Sequence, residues 1–259
     1  MNISEGCDPT VIDAIAAAAG SDLLDVHTDP HHNRSVLTLV GEEAPRAVAR
    51  EAVARIDLGG HEGAHPRFGA IDVVPFVPLD GSELDDAVGA RDRFCHWAAQ
   101  ELDLPSFLYG PERSLPDVRR RAFVDLAPDS GPRQPHPTAG AVAVGARPVL
   151  VAYNVWLTAP DLDEAKRVAA AVRRAGVRTL GLAVGDRVQV SMNLVDPLGV
   201  GPAEATDAVA AHVDIAGCEL VGLLPRSVLD RVPEARWAEL DVGPDRTIEA
   251  RLARRQASR

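Results

Sequence analysis

The stretch Val149 to Leu157, VLVAYNVWL, decides the fold, because it is a nearly unbroken apolar run with the length of one buried strand. The elements that follow it are predicted from periodicity and turn residues. They are a helix over Asp161 to Ala175, a hairpin of Arg178 to Val184 and Val188 to Leu194, a helix over Pro202 to Ile215, and a strand over Cys218 to Leu223. The resulting β-α-β-β-α-β order is the split βαβ arrangement of ferredoxin-like domains.

The residues before this stretch repeat the same order without its first strand. The predicted elements are a helix capped at Asp8-Pro9, strands over Ser21 to His27 and Ser35 to Val40, a helix over Glu43 to Asp57, and a strand over Ala70 to Val77. A unit without its first strand exposes unpaired strand edges. We therefore expect that the chain begins late, from a misassigned start codon, or that another segment supplies the missing strand.

The fold class predicted from both halves is α+β, an α/β sandwich of two tandem ferredoxin-like subdomains, the first lacking its opening strand. Their expected bounds are residues 1–147 and 148–259. Between the two repeats we expect a long helix over Ser82 to Leu102, capped by Ser82, and a short strand over Ser106 to Tyr109. Residues 111–140 are predicted to be mostly irregular, with a helical piece near Pro116 to Ala122, and long irregular segments tend to be functional.

Composition excludes several classes of protein. The net charge of −11 argues against general nucleic-acid binding, which needs a basic face. No apolar run approaches the length of a membrane span, and the N-terminus does not have the pattern of a secretory signal. Cys7, Cys95 and Cys218 form no CxxC pair, so we expect a cytoplasmic protein without a disulfide framework. The oligomeric state that we consider for this protein is a homodimer.

The loop Gly59 to Gly69, GGHEGAHPRFG, carries the first candidate site. His61 to His65 matches the H-E-x-x-H pattern of zinc proteases, which requires a helix to bring both histidines to one metal. The glycines of the loop and Pro66 disfavour that helix. We therefore expect no metal here.

Several segments along nearly the whole chain carry a family resemblance. They are Ile3-Ser-Glu-Gly6, Leu23-Leu-Asp-Val26, Asn33-Arg34-Ser35-Val36, Gly63-Ala-His-Pro-Arg-Phe-Gly-Ala-Ile-Asp72, Pro75-Phe-Val-Pro78, Leu108-Tyr109, His136-Pro-Thr-Ala-Gly-Ala-Val-Ala-Val-Gly-Ala-Arg147, Tyr153-Asn154, Gln189-Val-Ser-Met-Asn-Leu194 and Glu219-Leu-Val-Gly-Leu-Leu-Pro225. In this order they resemble the formiminotransferase family. The resemblance implies two ferredoxin-like subdomains with a folate site in the groove between them, and transfer of a formimino group from N-formimino-L-glutamate to N5 of tetrahydrofolate.

The resemblance places the catalytic histidine at His65. Formimino transfer requires one nitrogen to lose a proton and another to gain one, and a histidine can serve both steps. From the residues alone, a structural or solvated loop histidine is the favoured interpretation, and the resemblance reverses that preference.

Binding the two carboxylates of the donor requires cationic side chains. Arginine fits a carboxylate best, because its guanidinium can donate two parallel hydrogen bonds to the two oxygens. Arg67, Arg34 and Arg147 are the candidates, each of which also suits a surface ion pair. His61 is a further candidate for donor binding. Asp25 is a candidate for orienting His65 or binding an amine, with a turn hydrogen bond as the alternative.

The family's folate-binding loop falls on Gly131 to Gly140. The candidate contacts in it are Gly131, Pro132, His136, Pro137, Thr138, Ala139 and Gly140. Composition alone is equally typical of an interdomain linker. On the second hairpin Gln189, Ser191 and Asn193 alternate on one face, where they suit the polar edge of a pterin or form a solvated face.

The chain departs from the family at several positions near His65. The family loop commonly has the sequence R-H-K-G-E-H-P-R, whereas Gly60, Glu62 and Ala64 replace the arginine, the lysine and the glutamate, and His27 replaces a second acid. Two positive charges are lost, and the negative charge gained at Glu62 is balanced by the one lost at Ala64. The alternatives to formiminoglutamate are therefore a different one-carbon donor, formyl or another formimino compound, and a folate-binding protein without turnover.

Overall fold

The structure is a computed structural model that describes residues 1–61 and 67–257. The chain forms two compact units, Met1–Pro148 and Val149–Arg259. Each unit has its own sheet and its own hydrophobic core. In the described part of the chain, no helix combines the length and the apolar character that crossing a membrane requires.

The first unit contains a ferredoxin-like set of elements with two additional strands. In chain order its elements are β1 (Asn2–Ile3), α1 (Pro9–Ala17), β2 (Leu23–Asp29), β3 (Arg34–Leu39), α2 (Glu43–Arg55), β4 (Ile71–Phe76), α3 (Leu84–Glu101), β5 (Ser106–Tyr109), α4 (Leu115–Arg121) and β6 (Val142–Ala146). The sheet order is β2-β3-β1-β4-β6-β5. The first four strands have the ferredoxin-like arrangement, and β6 and β5 extend the sheet in parallel with β4.

The prediction that the first unit lacks its opening strand was wrong. Asn2–Ile3 occupies that position, antiparallel to both β3 and β4, with Ile3 opposite Ser35 on one side and Ile71 on the other. Ile3 is fully buried in the main core. Two residues are too short to show an alternating pattern, so sequence periodicity alone could not identify this strand.

Hydrophobic residues cover both faces of the first sheet. The main core lies between the sheet and the helices α1, α2 and α3, with Leu37, Val48 and Phe94 fully or almost fully buried. A smaller cluster contains Phe107 of β5 and Val118 of α4, so α4 packs against the opposite face of the sheet. Successive side chains of a strand point to opposite faces, which is why the same strands contribute to both clusters. The charged residues of the candidate site lie on this second face.

The second unit has the predicted β-α-β-β-α-β order. Its elements are β7 (Val151–Leu157), α5 (Leu162–Val172), β8 (Val177–Val184), β9 (Arg187–Leu194), α6 (Pro202–Ala210), β10 (Ile215–Val221), α7 (Arg226–Leu229) and α8 (Ile248–Ala257). The sheet order β10-β7-β9-β8 is that of a ferredoxin-like domain, so the predicted α+β class is confirmed.

Several predicted helix ends differ from the structure; the helix predicted over Asp161 to Ala175, for example, ends at Val172. The long helix begins at Leu84, and its cap is Glu83, which forms a capping box with Asp86; the Ser82 hydroxyl instead bonds the backbone of Leu79. The helix predicted to end at Ile215 ends at Ala210, because the chain from Ile215 onward pairs with β7.

Candidate functional site

One edge of the first sheet brings together chain segments that are distant in sequence. Ser4 follows β1, the β2–β3 turn supplies His32 and Asn33, β3 begins at Arg34, and Arg67 precedes β4. These five side chains line a small surface depression, which we call the arginine depression. The structure therefore places two of the predicted donor-binding residues, Arg34 and Arg67, side by side.

Gly6 allows the segment after β1 to approach this turn closely. A Cβ atom at position 6 would lie 2.3 Å from the carbonyl oxygen of Asp29 and 2.4 Å from the backbone nitrogen of Arg34. The Gly6 N–H donates to Oδ1 of Asn33 at 2.8 Å, and Asn33 has a φ of 47°. The geometry of the turn that carries His32 therefore depends on this glycine.

A buried carboxylate, Asp72, organises the arginines. Its side chain is 1% exposed, and Oδ2 accepts from Arg34 at 2.8 Å and from Arg119 of α4 at 2.5 Å. Oδ1 accepts from the Phe68 N–H at 2.8 Å. One buried carboxylate thus holds two guanidinium groups that come from β3 and α4. Burial lowers the pKa of Arg34, and the charge of Asp72 opposes that effect.

Arg67 is fixed by the start of the loop that precedes it. Its Nη1 donates to the carbonyl oxygen of His61 at 2.6 Å and contacts Nδ1 of the same residue. His61 itself follows a short 3-10 turn and has extended backbone angles, so it does not lie on an α-helix. The predicted catalytic residue His65 and the neighbouring Glu62 and Pro66 lie outside the described residues.

The segment 136–141 holds both ends of that loop. Thr138 accepts from the Leu58 N–H at 2.8 Å, and Ala139 accepts from the Ala70 N–H at 2.9 Å. The Ala141 N–H donates to Phe68 at 3.1 Å. The predicted folate-binding loop is therefore bonded directly to the residues on either side of the segment that carries His65.

His136 stabilises the turn of this loop. Its backbone pairs with Gly140 in both directions, and its Nδ1 accepts from the Ala139 N–H at 3.0 Å. Pro137 lies exposed at the tip of the turn. Gly131 and Pro132 lie elsewhere in the unit, because Gly131 is packed beside the backbone of Leu104, in the segment that follows α3. The predicted loop therefore consists of two separate parts, and only residues 136–140 adjoin the site.

Two other predicted donor contacts, Asp25 and Arg147, do not line the depression. Asp25 shares a strand face with Arg34 by alternation, but it pairs with Thr38 and lies four positions, about 13 Å, along β2 from the Asp29–Arg34 pair. Arg147 follows the far end of β6, where its backbone bonds Phe76. Its guanidinium interacts with the hydroxyl of Tyr109, whose pKa is raised by burial and lowered in part by Arg147.

Sequence interpretation missed three residues of this site. The signal for Asp72 was present, since it is the one acid within the apolar strand Ala70 to Val77. Arg119 gave no signal, because it is one of three consecutive arginines on α4. His32 was assigned only to a polar turn, yet its Nδ1 lies 2.5 Å from Oδ2 of Asp29 and its ring lines the arginine depression.

In the second unit, the predicted alternation of Gln189, Ser191 and Asn193 holds. They lie on the sheet face opposite the core and pair with Trp156, Asn154 and Ala152 of β7, respectively. Gln189 is 1% exposed, and among the described residues its Oε1 has no hydrogen-bond partner.

Other groups on this face are already partnered. Asn154 donates to Glu219 at 3.0 Å, and the guanidinium of Arg187 lies 4.0 Å from the ring centroid of Trp156. Gln189 therefore presents a buried acceptor that a ligand N–H would satisfy.

Comparison with known proteins places these observations in context. Residues 1–147 match the formiminotransferase domain, N-terminal subdomain. The chain is 37% identical to glutamate formimidoyltransferase of Streptococcus pyogenes serotype M1, over 90% of each chain. It is 34% identical to glutamate formimidoyltransferase of Thermoplasma acidophilum, over 88% of each chain. It is also 34% identical to formimidoyltransferase-cyclodeaminase of Sus scrofa, over 88% of this chain but 50% of that protein.

Proposed function

The chain belongs to the formiminotransferase family, and from this premise we propose that it is a glutamate formimidoyltransferase. The reaction is transfer of a formimino group from N-formimino-L-glutamate to N5 of tetrahydrofolate, a step of histidine degradation and one-carbon metabolism. Its glutamate formimidoyltransferase relatives match along most of their length, which supports the reaction class.

The chemistry defines what the site must supply. N5 of the folate attacks the formimino carbon and forms a tetrahedral adduct that is bonded to both amines. N5 must lose a proton, and the glutamate nitrogen must gain one before its bond to carbon breaks. A histidine within hydrogen-bond reach of both nitrogens serves as base and then as acid. We assign this role to His65.

The observation that carries the proposal is the arginine depression. Arg67 is two residues from His65, and Arg34 lies beside it with its guanidinium held on Asp72. Guanidinium groups suit carboxylates in geometry and charge, and formiminoglutamate has two carboxylates. Binding one of them here would hold the formimino end near the segment that carries His65.

We further propose that tetrahydrofolate is the acceptor, bound with contributions from residues 136–140 and from Gln189, Ser191 and Asn193. Segment 136–140 supports this assignment because it is bonded to both flanks of the His65 segment. The buried Oε1 of Gln189 supports it because a pterin ring carries N–H donors and this acceptor has no hydrogen-bond partner among the described residues.

A donor and acceptor assay tests the proposal. The purified protein is incubated with tetrahydrofolate and N-formimino-L-glutamate, and the folate product is followed by absorbance while released glutamate is quantified. We expect equal amounts of formimino-folate and glutamate. Binding of tetrahydrofolate without product from this donor would refute the proposed reaction.

A second candidate keeps folate and changes the donor. The observation that favours it is the altered loop, in which Gly60, Glu62 and Ala64 replace two cations and an acid of the family pattern. Parallel incubations with N-formyl-L-glutamate and with formimino derivatives of other amino acids distinguish it, because turnover would then appear only with one of these donors. Folate binding without turnover of any donor would identify a folate-binding protein.

A further inference from the structure

An aromatic row lies on the second face of the first sheet and ends at Phe68, three residues after His65 in the sequence. The row consists of Phe68 before β4, Phe107 on β5 and Phe123 in the turn after α4. The ring centroids are 5.3 Å and 5.0 Å apart, with interplanar angles of 68° and 81°. This is the edge-to-face geometry that aromatic pairs prefer. Phe123 is therefore joined to Phe68 through a single ring, that of Phe107, which is fully buried.

Phe68 is held through its backbone as well as through its ring. Its N–H donates to Oδ1 of Asp72 at 2.8 Å, and its carbonyl oxygen accepts from the Ala141 N–H at 3.1 Å. Oδ2 of the same aspartate accepts from Arg119 of α4 at 2.5 Å. The segment formed by α4 and the turn after it therefore reaches Phe68 by two routes, a polar one through Asp72 and an apolar one through Phe107.

The turn that carries Phe123 has an unusual backbone. Phe123 has a φ of 61°, in the left-handed region that bulky residues rarely adopt. Its N–H donates to the carbonyl oxygen of Leu126, and the Leu126 N–H donates to that of Arg121, both at 3.0 Å. Phe123 is 37% exposed, so burial of its own surface is only partial. Residues in such strained conformations cluster at functional sites, where the surrounding structure maintains them.

The ring of Phe123 supports one side of Phe107. The neighbours of Phe107 in the buried cluster include the small residue Ala143 of β6. Because protein interiors are close-packed, a void in place of the Phe123 ring allows the Phe107 ring to shift toward it and away from Phe68. A displaced Phe68 also displaces the residues joined to it, because each residue extends the chain by at most about 3.5 Å. The support therefore extends to the segment that carries His65.

We propose that Phe123 is a positioning residue for the proton-transfer step, because its ring, through Phe107 and Phe68, fixes the end of the segment that carries His65. The inference rests on the proposed function, since it takes His65 as the catalytic residue. Phe123 acts through other residues and touches neither substrate. Loss of its ring therefore lowers kcat and leaves the KM for both substrates unchanged.

The kinetic experiment compares the wild-type protein with Phe123→Ala, Phe123→Tyr and Val124→Ala. Phe123→Tyr keeps the ring, so it tests rescue by a conservative substitution. Val124→Ala is the matched control, because Val124 lies on the same turn and is 83% exposed. The kcat and the KM for tetrahydrofolate and for N-formimino-L-glutamate are measured for each protein.

Amide hydrogen exchange tests the support of Phe68 in the absence of substrates. NMR of the nitrogen-15-labelled protein follows the N–H groups of Phe68 and Ala70, both of which are hydrogen-bonded. The N–H of Leu224, which is hydrogen-bonded in the second unit, serves as the reference. Local loosening accelerates exchange at the first two amides only, because native-state exchange reports local opening as well as global unfolding.

We expect the kcat of Phe123→Ala to fall by at least about tenfold, since misplacing a catalytic group by about 1 Å costs about 100-fold. The KM for each substrate should stay within about twofold of the wild-type value, the pattern of a change that acts on the transition state alone. Exchange at Phe68 and Ala70 should become at least about tenfold faster, with exchange at Leu224 unchanged. Phe123→Tyr and Val124→Ala should match the wild-type protein in every measurement.

Three results would overturn the inference. An unchanged kcat in Phe123→Ala would show that the ring does not position the segment. Equal acceleration of exchange at all three amides would assign the ring to global stability alone. A higher KM for tetrahydrofolate with an unchanged kcat would make Phe123 a direct ligand contact.

The exchange measurement separates this inference from the proposed reaction. Faster exchange at Phe68 in Phe123→Ala, together with a wild-type protein that forms no product, would uphold the link between the two residues and refute the reaction. Turnover by the wild-type protein, with kcat and exchange unaltered in Phe123→Ala, would uphold the reaction and refute the inference.

Discussion

At the scale of single residues, the central feature of the site is a buried carboxylate that was not predicted to be functional. Asp72 binds Arg34 and Arg119, which are 38 and 47 positions away in the sequence. Burying one charge among two of opposite sign is stabilising only while all partners are present. Asp72 therefore couples the position of a proposed substrate contact to the stability of the first unit.

This coupling gives a prediction for Asp72→Asn. Removing the charge leaves two arginines without their anion, so we expect the free energy of unfolding to fall by about 3 kcal/mol. The KM for the donor should also rise, because Arg34 loses the partner that holds it. Urea denaturation and steady-state kinetics measure the two effects.

Asp163→Asn is the matched control, since Asp163 is 92% exposed in its pair with Lys166. Exposed pairs contribute little to stability, and this variant should be unchanged within about 0.5 kcal/mol. Equal stability of Asp72→Asn and Asp163→Asn would show that the Asp72 cluster has no structural role.

At the scale of elements, the loop between α2 and β4 is held at its two ends by the segment 136–141. Gly69 makes the closest approach, because a Cβ atom there would lie 1.9 Å from the carbonyl oxygen of Ala141 and 2.8 Å from that of Ala139. The backbone bonds from Ala70 and Ala141 need this contact distance. A side chain at position 69 must therefore displace one segment from the other.

We predict that Gly69→Ala lowers turnover by about 100-fold, the effect of misplacing a catalytic group by about 1 Å. Gly60→Ala, in the same loop, is the matched control, because a Cβ atom there would meet no atom within 4 Å. The kcat of both variants is measured under saturating substrates. Similar kcat values for the two variants would contradict the idea that the 136–141 segment positions the loop.

Sequence patterns predicted the longer elements better than the short ones. Strands such as β7 and β9 have apolar runs or an apolar–polar alternation that can be recognised without knowledge of the tertiary structure. Their predicted bounds agree with the structure to within two residues. The two-residue strand β1 has no period to detect. Strand β6 was also missed, because its small residues VAVGA resemble a loop until they are placed between β4 and β5.

Residues of the candidate site could be predicted only where they belong to a recognisable sequence motif. Arg34 and Arg67 were identified from their segments, and the structure places both in one depression. The pairing of Asp72 with Arg119 and of Asp29 with His32 depends on side-chain contacts, the first of them between distant segments, that no local pattern encodes. Gly131 was grouped with the site by resemblance, and the structure places it beside the backbone of Leu104, away from residues 136–140.

At the scale of the whole molecule, an acidic chain holds Arg34 and Arg119 on Asp72 in its first unit and polar strand residues on one sheet face of its second. The net charge is −11, so a local cationic site is needed to attract an acidic donor. In the second unit, the buried Oε1 of Gln189 is not needed for stability, because an unpaired buried acceptor is unfavourable.

Gln189→Leu tests the contribution of the second unit. We predict an unchanged or higher free energy of unfolding, since an apolar group of similar size replaces an unsatisfied one. The KM for tetrahydrofolate should rise about tenfold, and the KM for the donor should stay constant. Thermal denaturation and kinetics with each substrate varied in turn provide these values. A loss of stability with unchanged folate KM would assign Gln189 a structural role.

The central claim is folate-dependent formimino transfer with His65 as the proton-transfer group. The most direct test compares wild-type protein and His65→Gln in a single turnover with tetrahydrofolate and N-formimino-L-glutamate, after circular dichroism and folate binding have shown that both proteins are folded and bind the acceptor. We predict stoichiometric formimino-folate from the wild-type protein and a rate at least about 100-fold lower for His65→Gln. A His65→Gln variant that forms product at the wild-type rate would contradict the account.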